Sequence, residues 1–118
     1  MPKNVFIVED ENDVAELYAE IVELHGHVVV GTASDGEEAV RKFALLTRRP
    51  DVIIMDYRIP LRNGAEAARE ILRIDPGARF IFATADRSAE KEVTMPGVVA
   101  FKKKPFDVDR LVKNIEKA

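Results

Sequence analysis

The chain places acids where apolar runs break into polar sequence. Glu9, Asp10 and Glu11 follow "NVFIV", and Asp56 follows "VIIM". Later breaks carry a hydroxyl and ammonium groups: Thr84 ends "RFIFAT", and Lys102, Lys103 and Lys104 follow "VVAF". Carboxylates drawn to one place repel each other and coexist only with a cation or a proton between them. Oxygen ligands without cysteine suit a hard ion, Mg²⁺ before Ca²⁺, with water completing the shell. Thr84 and Lys104 would add donors beside that ion, which fits a phosphoryl group bound on the metal. Asp56 stands out, because Val52–Met55 is apolar on both faces and Pro60 breaks the chain soon after.

For these groups to meet, the runs before them must lie parallel in one sheet. Strands are expected at 4–10, 28–34, 52–56, 79–85 and 98–102. Between them, apolar residues fall at helical spacing. Val14, Leu17, Tyr18, Ile21, Val22 and His25 form one face, with Gly26 as its stop. Val40, Phe43 and Ala44 form a second behind a Ser34 or Asp35 cap; Ala65, Ala68, Ile71 and Leu72 form a third. Val108, Leu111, Val112 and Ile115 close the chain. "DRSAEKEVTMPG" (86–97) has a poor apolar stripe and a Met-Pro-Gly break, so the helix there is expected to be short or mobile. The pattern predicts an α/β protein, a doubly wound five-stranded parallel sheet with five helices, as one domain over 1–118. Ligands of such sheets sit at the carboxyl ends of the strands, where all of these polar groups fall.

Composition excludes several classes. The 118 residues are 47% hydrophobic and 33% charged, normal for a folded domain. A net charge of -3 gives no basic excess for nucleic acid, so no direct nucleic-acid partner is expected. With no cysteine there is no disulfide or thiolate metal site. No run reaches membrane-spanning length and no signal-peptide pattern opens the chain, so a cytoplasmic protein with no membrane partner is expected. His25 and His27 beside a helix end read as partners of the helix dipole, with no third ligand for a metal.

Taken together, Glu9-Asp10, Asp56 with Pro60 and Gly64, Thr84-Ala85, and Lys104-Pro105-Phe106 resemble a response-regulator receiver domain of two-component signalling, the chemotaxis-regulator type. The resemblance covers essentially the whole chain and implies a flavodoxin-like receiver fold. It implies that Asp56 accepts a phosphoryl group from a phosphohistidine, given by a sensor histidine kinase or a phosphotransfer protein. Asp10, Asp56 and the backbone carbonyl of Arg58 would hold Mg²⁺, with Glu9 acting mostly through water. Lys104 would pair with the phosphoryl oxygens, Thr84 would hydrogen-bond them, and Phe101 would turn with Thr84 as a switch. The output would be a downstream effector protein or domain, with a phosphorylation-dependent homodimer as a further outcome. Such a protein is no enzyme beyond its own phosphorylation and dephosphorylation. It would stand alone or belong to a longer regulator or hybrid kinase.

Some positions depart from the family pattern. The first acid is Glu where Asp is commoner, and Phe101 replaces a frequent Tyr. The stretch from Thr84 to Lys104 is about two residues short, by the family's usual length, with Pro96 in the helical region. The resemblance implies that Arg58 and Asp86, which differ in charge, flank the phosphoryl group, so a lid over Asp56 that slows attack by water is expected of them. Singly, each group has a plainer reading: Glu9 or Asp10 as solvated surface, Lys104 as part of a charge run, Thr84 as a strand former, Phe101 as core. A metal-dependent aspartyl phosphatase of similar topology is the alternative, but it needs a second acid two residues after the nucleophile, where Arg58 stands. A nucleotide or flavin carrier needs a phosphate-cradling loop after the first strand, and "EDENDVAE" is acidic and glycine-free.

Overall fold

The computed structural model describes residues 2–85, 87–104 and 107–118. Apolar runs bounded by turns become five strands: β1 (Asn4–Val8), β2 (Val28–Ala33), β3 (Val52–Asp56), β4 (Phe80–Thr84) and β5 (Val98–Lys103). All pair in parallel in the order β2-β1-β3-β4-β5. The α-helices are α1 (Asn12–Leu24), α2 (Gly36–Leu45), α3 (Gly64–Ile74) and α4 (Val108–Lys117). The sheet is the flavodoxin-like receiver arrangement expected from the sequence.

Alternation along each strand sends side chains to opposite faces, and each face acquires its own core. Phe6, Val8, Ile53, Met55, Phe80 and Phe82 pack with Phe43, Ala65, Ala68 and Ile71 under α2 and α3. Val5, Ile7, Val52, Ile54 and Ile81 pack with Tyr18, Val22, Leu111 and Ile115 under α1 and α4. Every residue of β3 and β4 is buried, which is why both read as unbroken apolar runs. Edge strand β2 is mostly half-exposed.

The expectation of five helices is corrected. The described residues hold four α-helices, and the fourth expected helix is a 3₁₀ segment, Arg87–Val93. Val93 is its buried apolar anchor among the described side chains, too little to hold a longer helix to the sheet. Pro96 and Gly97 then break the chain. Gly97 has φ +88°, and a Cβ there would collide with the Ala78 carbonyl oxygen. Its own carbonyl accepts from the Phe80 N–H at 2.8 Å, so this turn fixes where β5 starts beside β4.

Caps set the other helix starts. Asp35, not Ser34, accepts from the Glu38 N–H at 2.7 Å, and the Ser34 N–H donates to Glu38 Oε1 at 2.7 Å. Asn63 and Glu66 form a reciprocal capping box at the start of α3. The two histidines part company. The His25 ring nitrogen Nδ1 bonds the Ile21 carbonyl at 2.9 Å, at the end of α1 as expected. His27 departs from the expectation: it is buried, its Nδ1 accepts from the Lys3 N–H at 2.9 Å, and its Nε2 lies 3.5 Å from Glu116. It ties the start of β1 to α4 rather than answering the dipole of α1. Among the described residues, no helix is long and apolar enough to cross a membrane.

Candidate functional site

In the strand order, β1 lies between β2 and β3, so the chain's direction of winding reverses there and opens a crevice at the carboxyl ends. Register sets the heights of the polar groups along this edge. Val8 pairs with Met55, so Glu9 and Asp56 leave neighbouring strands at one level. Asp56 pairs with Ala83, and Thr84 with Lys103. The Lys104 N–H then donates to the Thr84 carbonyl at 2.8 Å, extending the ladder by one rung.

Glu9 turns inward and is 2% exposed, while Asp10 stays exposed. The Glu9 N–H still donates to Ala33 at 2.9 Å, and its Oε2 accepts from the Glu11 N–H at 3.2 Å. Asp56 Oδ1 accepts from the Arg58 N–H at 3.2 Å. The Lys104 ammonium donates to Glu9 Oε1 at 2.9 Å and to Asp56 Oδ2 at 3.4 Å. Carboxylate oxygens of Glu9, Asp10 and Asp56 lie within 4.8 Å of one another. This oxygen-only donor set, of which two members are buried, fits a hard divalent cation.

The electrostatics follow from that burial. Loss of solvent pushes the Glu9 carboxyl up to about 7, with the Asp56 charge adding to it and Lys104 opposing. Burial also raises Asp56, against the pull of Lys104 and the Arg58 N–H. Burial alone would lower Lys104, but its bond to Glu9 and the nearby Tyr18 and Asp56 outweigh this and hold it above its ordinary value.

The loop after Asp56 is pinned at close range. The Gly36 N–H donates to the Pro60 carbonyl at 3.1 Å, and the Gly64 N–H donates to the Tyr57 carbonyl at 2.7 Å. A Cβ on Gly64 would meet the Asp56 carbonyl oxygen at 2.6 Å and Tyr57 Cα at 2.8 Å. Gly64→Ala must therefore push the start of α3 off the end of β3. It is expected to destabilise the protein by about 1–3 kcal/mol and to weaken divalent-metal binding. Urea unfolding with a metal titration checks this, and an unchanged metal affinity would show that the close approach is dispensable.

Thr84 is buried at the end of β4. Phe101 is half-buried, pairs with Phe82 and packs on the α2/α3 core, so it shares a face of the sheet with Thr84. It also lines an open groove of about 460 Å³ with Val93, Met95 and Pro96. Arg58 is exposed. Asp86, Pro105 and Phe106 lie outside the described residues, and with Asp86 goes the partner in the expected lid. Of Lys102 and Lys104, it is Lys104 that meets the acids, while Lys102 has Arg110 and Asp107 as its charged neighbours. The sequence reading missed Tyr18, assigned there only to a helix face. It is buried and lines a groove together with Lys104. The one signal was a tyrosine in an apolar stripe, since a buried phenol needs a partner.

The sequence profile of the response regulator receiver domain matches residues 5–116. The chain belongs to this family. It is 35% identical over 119 residues to the chemotaxis protein CheY of Thermotoga maritima, covering 99% of this chain and 98% of that one. It is 37% identical over 120 residues to the transcriptional regulatory protein PdtaR of Mycobacterium tuberculosis, covering 100% of this chain and 57% of that protein. Its fold matches the CheX–CheY–BeF3–Mg complex from Borrelia burgdorferi with a TM-score of 0.89 at 28% identity, covering 99% of this chain and 89% of that one. This receiver domain thus carries an acidic pocket suited to a divalent cation. The aspartyl phosphatase alternative has no support, since Arg58 stands exposed where the second acid would be.

Proposed function

We propose that Asp56 is the phosphoryl acceptor of this receiver domain and that Mg²⁺ is its cation. The observation that carries the reading is the Lys104 ammonium seated between Glu9 at 2.9 Å and Asp56 at 3.4 Å at the switch point of the sheet. Asp10, Asp56 and the Arg58 carbonyl would hold the ion, with Glu9 acting through water. When bound, Mg²⁺ supplies positive charge to the phosphoryl oxygens and orients them for in-line attack.

The chain's own residues do the rest. A carboxylate oxygen of Asp56 attacks phosphorus, the P–N bond of the donor phosphohistidine breaks, and the imidazole leaves with that electron pair. Lys104, already at Asp56 Oδ2, moves to the phosphoryl oxygens and neutralises charge as it develops. Thr84 donates to the same group. Phe101, on the same face of the sheet, turns into the space this vacates and biases the surface of the 3₁₀ segment, β5 and α4 between two states. Arg58 restricts the approach of water to the acyl phosphate. The domain acts in the cytoplasm on a histidine kinase or phosphotransfer donor and on an effector, with pairing of phosphorylated copies as one output. It catalyses only its own gain and loss of phosphate.

Incubation with acetyl phosphate and Mg²⁺ should add one phosphoryl mass to the wild type and none to Asp56→Asn. Equal labelling of the mutant would move the acceptor elsewhere.

A further inference from the structure

The turn from β2 into α2, residues 33–36, is not part of the acidic cluster, yet its backbone grips both loops that carry the acids. At one end the Ala33 carbonyl accepts from the Glu9 N–H at 2.9 Å. At the other the Gly36 N–H donates to the Pro60 carbonyl at 3.1 Å, on the loop after Asp56. That same carbonyl accepts from the Arg62 N–H at 2.8 Å, closing a three-residue turn with Leu61 at φ 70°. A three-residue turn of this hand is rare and strained. Leu61 is 72% exposed, so burial of its side chain does little to offset the strain. Such a conformation persists only where its surroundings hold it. Gly36 is buried against it, and a Cβ there would collide with the Arg62 carbonyl oxygen. We propose that Gly36 is a positioning residue for the metal site, clamping the strained turn at Pro60–Arg62 and so fixing the loop that carries the Arg58 carbonyl.

The role rests on Asp56 and the Arg58 carbonyl as ligands of Mg²⁺. A main-chain carbonyl has no rotamers to adjust, so its place is set by the loop that carries it. Tyr57 and Ile59 are buried in the core on either side of the exposed Arg58, which holds the near end of that loop. The bond from Gly36 holds the far end. Mg²⁺ demands near-ideal octahedral geometry, so a small displacement of one ligand costs affinity. Helix formation does not account for the residue. Gly36 lies outside the left-handed region, where alanine would suit a helix better. The grip also needs α2 to start where it does, and Asp35 secures this by accepting from the Glu38 N–H at 2.7 Å.

Gly36→Ala should weaken Mg²⁺ binding by roughly tenfold in calorimetric titrations, the scale on which groups that orient a ligand tune a metal site. In metal-free protein, the Arg62 and Gly64 amides should exchange with deuterium faster than in wild type. Asp35→Ala reaches the clamp from the helix side without adding an atom against the loop, and should cost about two- to fivefold in affinity. Asp35→Asn keeps a capping oxygen and should restore the affinity. Phe43→Leu is the control for general destabilisation, since it loosens the core at the far end of α2. It should leave affinity and exchange at wild-type values per folded molecule. Wild-type affinity or wild-type exchange in Gly36→Ala would overturn the proposal, as would an equal loss in Phe43→Leu. A loss in Asp35→Asn equal to that in Asp35→Ala would trace the effect to charge and count against the clamp. If the wild type takes up no Mg²⁺, the ligand assignment falls, and amide exchange in Gly36→Ala still decides whether the clamp exists.

Discussion

Lys104→Met is expected to destabilise the metal-free protein by about 3 kcal/mol at mildly alkaline pH, the scale of breaking a buried ion pair by removing one partner. For a domain of this size that is roughly 10 °C in melting temperature. Methionine keeps the unbranched apolar stem and removes the charge. What remains is Glu9, with no exposed side-chain surface, facing Asp56, with 10% exposed, and nothing between them to offset the repulsion. Divalent metal should then restore more stability to the mutant than to wild type, because the ion no longer competes with an ammonium for the same oxygens. Phosphorylation should move the other way, falling by about 10²–10³-fold as with the loss of one donor to a developing charge. Thermal melts with and without Mg²⁺, beside the rate of acetyl phosphate labelling, measure both. A mutant as stable as wild type without metal would mean that Lys104 does not neutralise the acids, and the electrostatic account of the site would fail.

How far the site could be read from the sequence follows from its physics. Strands buried on both faces must be apolar at every position, so β3 and β4 announce themselves as runs, and any polar residue at their ends is conspicuous. Asp56, Thr84 and Lys104 are visible for that reason, and parallel register brings them together without any special loop. The 3₁₀ segment Arg87–Val93 was legible only as a weakness, a stretch without a stripe, because a short helix held by Val93 leaves no periodic trace. Tyr18 was hidden by its own packing. Its spacing is that of a core residue, and nothing in the spacing tells that it lines a groove with Lys104, the residue after β5. His27 was misjudged in the same way, since its partners Lys3 and Glu116 are distant in sequence. Leu61 adopts φ 70° on the loop after Asp56, a conformation that its residue type does not suggest and that the anchoring of Pro60 to Gly36 accompanies. Local chemistry was readable, and long-range contacts by single atoms were not.

In the metal-free protein, stability is expected to fall as pH rises from 4.5 to about 7, the reverse of the usual behaviour of a paired carboxylate. Glu9 starts at 4.5 in the unfolded chain and is raised to about 7 in the folded one by burial. Between those values the folded protein holds a proton that the unfolded chain has released, so each step up in pH favours unfolding. The contribution is fully present below 4.5 and is lost as pH passes the folded value near 7. Asp56 is raised as well, by burial first, and acts in the same direction. Lys104 acts elsewhere: its folded value is raised above 10.5, so its contribution is intact throughout this window and disappears only in strong alkali. With about 1.4 kcal/mol for each pH unit between the two values, Glu9 alone accounts for about 3 kcal/mol. Glu9→Gln cannot ionise, so its stability should vary less over this range. It should unfold at higher urea than wild type at mildly alkaline pH in the presence of a chelator. Added Mg²⁺ should reverse that order, because wild type then gains from the cation what the variant, lacking one acid, gains less of. Urea melts across the pH range, with chelator and with Mg²⁺, give the comparison. Parallel curves for the two proteins would show that Glu9 carries no strained charge, and the balance of Glu9, Asp56 and Lys104 would not be what readies this pocket for a cation.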